Sequence, residues 1–337
     1  MGVHHCISAD KFSKEFVDRV CLLANQMRII AKTKAGIEYL KLTLPHKRAM
    51  LYFVQPSTRT FLSFLSACQI LGMEYAEVRD PRTSSEVKGE SEEDTVRTFA
   101  SFFDLIIMRH HKANFAETIV NMLDRTNYPV PVVNAGSGKD QHPTQALLDI
   151  YTLKRSFNNN IDGKRIAFVG DLLRGRTVHS LLQLLAKYQG IKQYFVAPPG
   201  FQIDDNFCSY LDRAGVCYEL TDDLKSVLPL VDAVYMTRLQ DEWDQVDKTD
   251  NKFDLGCFSI TGQDLSLLKA DAVIMHPLPR RSEIAPEVDS DSRAIYWQQV
   301  RNGMWARAAL IAIIFGCEDQ IIKGWDYELG RGHQDNG

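Results

Sequence analysis

The sequence predicts an α/β fold of two doubly wound domains, each a parallel sheet wrapped by helices, with a ligand site in the cleft between them. Three observations carry this. Short, wholly apolar runs recur along the chain with helical patterns between them. Runs of that kind, without polar alternation, suit parallel strands buried on both faces. The length of 337 residues fits about two domains. Hydroxyls, arginines and histidines also cluster just after the apolar runs, at the expected carboxyl ends of the strands, where such sheets bind ligands.

The elements follow in order. Ala49–Val54 (AMLYFV) is the first expected strand. Pro56-Ser57-Thr58 then opens a helix whose apolar face is Phe61, Phe64, Leu65, Cys68 and Leu71. Further strands are expected at Leu105–Met108 (LIIM), Val130–Asn134 (VPVVN), Arg165–Val169 (RIAFV), Gln193–Ala197 (QYFVA), Ala233–Met236 (AVYM) and Ala272–Met275 (AVIM). The polar segment Arg155–Gly163 (RSFNNNIDG) reads as the junction between a domain at 1–150 and a second at 151–298. A helix at 299–323 is apolar enough to pack back on the first domain, and the glycine-bearing tail 324–337 is expected to fray.

Composition excludes several classes of function. The chain has 39 Lys+Arg against 43 Asp+Glu, a formal charge of −4, so it lacks the basic excess of a nucleic-acid binder. With 45% hydrophobic and 24% charged residues it is an ordinary globular chain and not a disordered one. A chain of this size buries about three quarters of its unfolded surface and needs no staples. Its seven cysteines include no C-x-x-C pair, so neither a disulfide framework nor a zinc site is expected, and they read as buried small hydrophobes in a reducing compartment. The charged start carries no signal-peptide pattern, and the longest apolar run, Ala308–Phe315, is far below the ~18–20 residues of a membrane span. A soluble, cytoplasmic protein with no membrane partner is the expectation.

The residues after the strands suggest the chemistry. Ser57-Thr58-Arg59-Thr60 begins a helix directly after a strand, where free backbone N–H groups, the helix dipole, three hydroxyls and a guanidinium form a cradle suited to phosphate. Arg109-His110 follows the LIIM strand, and His142-Pro143-Thr144-Gln145 follows VPVVN after a glycine-containing loop. Their convergence suits polarisation of a carbonyl and support of an oxyanion. After the fourth strand, Gly170-Asp171 leads to Gly175-Arg176-Thr177 without the G-x-G-x-x-G pattern, which disfavours a dinucleotide. Arg176 and Arg238, the latter in TRLQ with Gln240, supply two guanidiniums on the second domain, a usual means of holding a small dicarboxylate. His276-Pro277-Leu278-Pro279-Arg280 reads as a rigid loop, open to a cis bond, that turns backbone carbonyls toward an amine or amide ligand, with His276 itself open to a structural role. Ser84 and Lys88, in SSEVKGE, read by themselves as part of a solvated loop.

Taken together, STRT, the Lys of SSEVKGE, MRH, HPTQ, GRTVHS, TRLQ and HPLPR stand in the order and spacing of the aspartate/ornithine carbamoyltransferase family, which the chain resembles from about Ile7 to Phe315. HPLPR and TRLQ resemble the aspartate branch. The ornithine branch has a Cys in the HPLP position and an SMG-containing loop, and neither occurs here. The resemblance implies transfer of a carbamoyl group from carbamoyl phosphate to L-aspartate in pyrimidine synthesis, without metal or cofactor. It implies that Ser57, Thr58, Arg59 and Thr60 cradle the phosphate. Arg109 joins them and, with Thr60 and His142, polarises the carbonyl oxygen. Gln145 and the carbonyls of Pro277 and Leu278 hold the carbamoyl amide, while Arg176, Arg238 and Gln240 hold the aspartate carboxylates. Family members are trimers, so Ser84 and Lys88 are expected to reach a neighbour's site; whether a regulatory chain also binds is left open.

Three departures from the family pattern stand out. Gln55 replaces the usual Glu before PSTRT, Trp243 replaces an Arg after TRLQ, and His111 replaces the Pro after MRH. The first two remove a charge cluster that in the family holds the domains closed, so closure is expected to use other contacts. A carbamoyltransferase with another amine acceptor and a non-catalytic homologue are the alternatives.

Overall fold

The structure, a computed structural model, describes residues 5–80, 89–126, 130–138, 142–238 and 255–324. The chain forms two compact units, Met1–Tyr151 with Arg301–Gly337, and Thr152–Val300. In the first, α1 (Lys14–Ile30) and α2 (Lys34–Lys41) precede β1 (Arg48–Phe53), α3 (Thr58–Ile70), β2 (Glu74–Val78), α4 (Glu92–Phe102), β3 (Leu105–His110), α5 (Phe115–Leu123), β4 (Val132–Ser137) and the start of α6 (Pro143–Ser156). The four strands form one parallel sheet in the order β2-β1-β3-β4.

In the second unit come β5 (Arg165–Val169), α7 (Arg176–Leu185), β6 (Lys192–Val196), α8 (Asp205–Arg213), β7 (Cys217–Thr221), the single turn α9 (Leu224–Val227), β8 (Ala233–Met236) and β9 (Val273–Met275). Its parallel sheet has the order β7-β6-β5-β8-β9. Through α10 (Tyr296–Ile314) the chain returns to residues of the first unit. The units divide at Tyr151/Thr152, inside α6, one turn before the polar segment 155–163.

The buried strands form for the expected reason. All of β3 and β4 is buried, and only the first residue of β1 is exposed. Tyr52, Ile106, Met108 and Val132 pack with Val96 and Phe99 of α4 and Ile119 of α5. In the second unit Ala167, Val169, Val196, Val234 and Met236 share a core with Leu224, Val227 and Ile260. Several helices begin at side-chain caps: Ser13, Thr33, Ser91 and Asp204 each accept a first-turn N–H of α1, α2, α4 and α8.

Several expectations change. The two strands the apolar-run reading misses, β2 (EYAEV) and β7 (CYELT), are sheet edges largely open to water, which removes the need for an apolar run, whereas the edges β4 and β9 are bridged by Cys6 and Ala294 and are buried. β3 extends through Arg109 and His110, because those polar residues are buried beside β4. The helix expected at 299–323 is two: α10 ends at Ile314 and helix resumes at 318–324. Gly316 ends α10 in the left-handed region (φ 68°), where its N–H bonds to Ile313 and that of Cys317 bonds to Ala312, the pairing of a Schellman turn. The seven cysteines are free; Cys6, Cys21 and Cys68 are buried as expected, but Cys208 and Cys317 are half-buried and Cys217 and Cys257 exposed. The exposure of Cys217 follows from its place on the edge strand β7. Among the described residues, no helix is long and apolar enough to cross a membrane.

Two glycines of the first unit separate backbone strain from steric clash. Gly72 (φ 74°) lies where a Cβ would come 1.8 Å from the Lys41 carbonyl oxygen, whereas a Cβ on Gly316 would meet open space. Gly316→Ala should cost about 1–2 kcal/mol, the penalty of the left-handed region. Gly72→Ala should cost more, by about 1–3 kcal/mol of forced backbone shift. Urea unfolding of the two variants checks this, and equal midpoints would show that the Lys41 turn yields freely.

Candidate active site

In a doubly wound sheet the crevice opens where the strand order reverses. In the first unit that point lies between β1 and β3, since β2 is added on one side of the pair and β4 on the other. Ser57–Thr60 follow β1 at the start of α3, and Arg109 sits near the end of β3. Ser57 is in cap position with extended backbone (φ −163°, ψ 109°), yet its hydroxyl makes no cap bond. Unlike the caps of α1, α2 and α4, its hydroxyl bonds no first-turn N–H, and the positive end of α3 lies at this edge. Thr58 and Arg59 are exposed and Thr60 is buried. Gln55 bonds through its backbone N–H to the Arg109 carbonyl at 3.2 Å, and its buried Oε1 has no hydrogen-bond partner among the described residues.

Arg109 is buried, with Nη1 donating to the Ala135 carbonyl at 3.1 Å and lying 3.4 Å from Nε2 of His142, itself buried. A guanidinium only donates, so Nε2 is the acceptor in that contact, and a neutral His142 ring carries its hydrogen on Nδ1. The guanidinium passes directly over Gly136: a Cβ there would come 2.5 Å from Nη1. Gly136 has φ 118°, a conformation for glycine alone. Asn134 shapes this end of β4, accepting from the Gly136 N–H at 2.8 Å while its own amide donates to the Ile7 carbonyl and to Ser137 Oγ. His142 stands just before α6, its carbonyl accepting from the N–H groups of Gln145 and Ala146. Buried Gln145 follows in the first turn, its Nε2 donating to Asp149 Oδ1 at 3.0 Å.

The second unit repeats the arrangement. Its strand order reverses between β5 and β8. Arg176 is the first residue of α7, which follows β5 and has Gly175 at its cap without a side-chain bond. Arg238 comes two residues after β8, and both arginines are half-buried. Thr237 closes the gap between the strands, its N–H and Oγ1 both donating to the Val169 carbonyl at 2.8 Å. Gly170 (φ 116°) lies so close that a Cβ would come 2.3 Å from the Thr237 carbonyl oxygen.

Pro277 and Leu278 follow β9, next to β8, and are half-buried. The Leu278–Pro279 bond is cis and Leu278 has φ 58°. His276 organises this loop: its Nδ1 accepts the Leu278 N–H at 2.7 Å, which places the ring hydrogen on Nε2, 2.7 Å from Glu283 Oε1. Burial raises the pKa of Glu283, but hydrogen bonds from His276 and from backbone N–H groups outweigh it and hold the carboxyl below its ordinary value. Arg280 is bound to Asp289 and Tyr296, which makes it a clamp on the loop. Of the remaining predicted residues, Ser84, Lys88 and Gln240 lie outside the described residues, as does Trp243.

One further cluster adjoins the β3 end. Glu92, His110 and His111 offer donor atoms within 4.8 Å of one another. Nδ1 of buried His110 accepts the Lys112 N–H at 3.2 Å, so the ring hydrogen sits on Nε2, 3.5 Å from Glu92 Oε1. Burial, outweighing the nearby Glu92, drops the His110 pKa to about 4 and keeps the ring neutral at ordinary pH. The Lys112 ammonium pairs with Glu92. A metal would have to displace both that hydrogen and the ammonium, so the chemistry of the group is that of an ion-paired wall.

Sequence reasoning misses Asn134, Asp149 and Arg307. The last is buried in α10, donates to Ser63 Oγ at 2.8 Å and interacts electrostatically with Asp149. Burial lowers the Arg307 pKa to about 10 against the attraction of Asp149 and Cys6. No local motif marks such partners.

Comparison with known proteins bears on what these edges hold. Residues 4–155 match the family model for the aspartate/ornithine carbamoyltransferase carbamoyl-P binding domain, and residues 162–314 the Asp/Orn binding domain of the same family. The chain is 39% identical over 325 residues to a chloroplastic aspartate carbamoyltransferase of Arabidopsis thaliana, covering 95% of this chain and 78% of that protein. It is 38% identical over 311 residues to the aspartate carbamoyltransferase catalytic subunit of Vibrio cholerae, covering 92% and 96%. Among solved structures, the catalytic subunit of M. jannaschii aspartate transcarbamoylase is similar with a TM-score of 0.84, 35% identity and coverage of 94% and 99%. Aspartate transcarbamoylase of Trypanosoma cruzi in complex with carbamoyl aspartate and phosphate is similar with a TM-score of 0.80, 34% identity and coverage of 91% and 94%. Two matched domain models and relatives of this similarity along nearly the whole chain agree with both switch-point edges: the chain belongs to the aspartate/ornithine carbamoyltransferase family.

Proposed function

We propose that this chain is an aspartate carbamoyltransferase, converting carbamoyl phosphate and L-aspartate to N-carbamoyl-L-aspartate and phosphate in pyrimidine biosynthesis. The observation that carries the reading is the juxtaposition of buried Arg109 and His142 beside the uncapped start of α3, at the switch point of the first sheet. Ser57, Thr58, Arg59, Thr60 and the α3 N–H groups bind the phosphate. Arg109, Thr60 and His142 surround the carbonyl oxygen, and Gln145 with the Pro277 and Leu278 carbonyls takes the carbamoyl NH₂. Arg176, Arg238 and Gln240 bind the two carboxylates of aspartate.

The reaction follows from these roles. The neutral α-amine of aspartate attacks the carbonyl carbon, and the carbonyl electrons move onto oxygen. The tetrahedral species then expels phosphate as the carbon–oxygen bond breaks, and the departing phosphate takes the amine proton. No protein nucleophile is required. Catalysis comes from orientation and from preorganised donors at the developing oxyanion, where one donor is worth about 2.7–4 kcal/mol. Two arginines on the second unit favour a dicarboxylate over a cationic acceptor such as ornithine. The assembly is a homotrimer in which Ser84 and Lys88 serve a neighbouring copy's site.

Three outcomes test the proposal. The bisubstrate analogue N-(phosphonacetyl)-L-aspartic acid, at about 100 times its dissociation constant, should stabilise the protein by about 2.7 kcal/mol. A thermal-shift measurement with no change in a folded sample would remove the reading.

Gly136→Ala should displace Arg109 and lower kcat/KM by about 10²–10³, the scale of one lost oxyanion donor, while circular dichroism still reports a folded chain. Near-normal turnover would show that Arg109 can act from another position.

Lys88→Ala and Arg59→Ala chains, each inactive alone, should regain activity when mixed and allowed to exchange. Some mixed trimers then hold a site with both residues intact. Persistent inactivity after confirmed exchange would place Lys88 in its own chain's site or in none.

A further inference from the structure

We propose that Asp149 is a positioning residue that fixes the side-chain amide of Gln145 with its oxygen toward the ligand, and so makes the site select an NH₂ group over a methyl group. The inference rests on the carbamoyl-phosphate reading above and adds to it the residue that sets this selectivity.

A glutamine amide is nearly symmetric in shape but opposite in chemistry at its two ends: NH₂ donates twice, while the oxygen accepts. Turned one way Gln145 would welcome a donor, and turned the other way it would repel one. Asp149 decides between them. Its Oδ1 lies 3.0 Å from Gln145 Nε2, one helical turn along the same face of α6. A carboxylate oxygen accepts from the NH₂ end and gains nothing from the carbonyl end, so Oε1 is the atom left for a ligand.

Asp149 cannot easily swing away. It is fully buried, and Arg307, 3% exposed, provides the charge that interacts with it. Arg307 is itself fixed by Ser63 Oγ at 2.8 Å and by the Phe64 ring, 5.0 Å from the guanidinium. Gly303 lets it lie so close that a Cβ at that position would come 2.6 Å from Nη1. The anchor therefore runs from α10 through Arg307 and Asp149 to Gln145.

The groups assigned above to the phosphate and the carbonyl oxygen act there as donors: N–H groups, hydroxyls and the guanidiniums of Arg59 and Arg109. Donors recognise phosphate and a carbonyl oxygen, which acetyl phosphate offers as well as carbamoyl phosphate. Only an acceptor distinguishes NH₂ from CH₃, and a site built around such a bond rejects the analogue that lacks it.

The test compares dissociation constants of phosphonoacetamide and acetonylphosphonate, which share a phosphonate and a carbonyl and differ as NH₂ differs from CH₃. The wild-type chain should prefer the amide by about tenfold or more, the scale of one hydrogen bond at a charge-assisted site. In Asp149→Asn the new side-chain amide can turn an N–H toward Gln145 Oε1. That variant should shrink the preference by about threefold or more, to what the Pro277 and Leu278 carbonyls supply, while acetonylphosphonate binding stays near wild type. Asp149→Asn leaves the buried Arg307 charge without its carboxylate. Should it fail to fold for that reason, the paired variant Asp149→Asn with Arg307→Met removes both charges and should show the same collapse. Gln145→Leu sets the floor. A wild-type preference retained in a folded Asp149 variant overturns the proposal. If the wild-type chain binds neither compound, the carbamoyl-phosphate reading itself falls, and this proposal with it.

Discussion

The arrangement of this molecule rests on strand polarity. Every strand in both sheets runs parallel to its neighbours, so all strand ends of one kind, and the starts of the helices that follow them, gather along one edge of each sheet. Helix starts carry unsatisfied N–H groups and positive potential. Where the strand order reverses, the connections leave in opposite directions and a crevice opens between them. Both units therefore supply a donor-rich edge before any particular side chain is chosen. The sequence then departs from its own habit at the first of these edges. α1, α2 and α4 begin with a hydroxyl that satisfies a first-turn N–H, while α3 begins with Ser57, whose hydroxyl does not.

The burial of charge is the second constraint. Arg109 and Arg307 are both buried, and each is held by a different device. Arg109 has the Ala135 carbonyl, His142 and a glycine with no Cβ in the way. Arg307 has Ser63, an aromatic face and Asp149. Taking such a charge out of water costs several kcal/mol unless partners are in place. Fixed partners also leave little to reorganise when a ligand arrives, which is the condition under which donors contribute most to a transition state.

How much of this the sequence displayed depended on how local each cause was. The seven apolar runs are buried strands, five of them central and two, β4 and β9, at sheet edges bridged by Cys6 and Ala294, because burial on both faces leaves a continuous hydrophobic word. β2 and β7 escape that test because these two edges, unlike the buried edges β4 and β9, are open to water and read as EYAEV and CYELT. The motif residues Ser57–Thr60, Arg109, His142, Gln145, Arg176 and Arg238 were legible from their position after a strand. Asp149 was not: it reads as one of several polar residues in an amphipathic helix, and its partner Arg307 lies far along the chain. Asn134 is similar, since its bonds to Ile7 and Gly136 exist only after the sheet has formed. The end of α10 was blurred by composition, because helix resumes three residues after it stops; only Gly316 marks the break.

The loop after β9 shows how a polar network can hold a backbone that local preference opposes. Leu278 has a branched side chain and a left-handed φ of 58°, a conformation that costs a non-glycine residue of order 1–3 kcal/mol. It persists because its N–H is bound by His276 Nδ1, whose other nitrogen is bound to Glu283, whose carboxylate also accepts the Arg281 N–H. Arg280 adds a second anchor through Asp289 and Tyr296. This chain of bonds works in one tautomer only: Nδ1 must accept and Nε2 must donate. A protonated ring would turn Nδ1 from acceptor to donor and release Leu278. His276 thus acts on the loop through its hydrogen-bond polarity, and the carbonyls of Pro277 and Leu278 are oriented by a residue that need not touch any substrate.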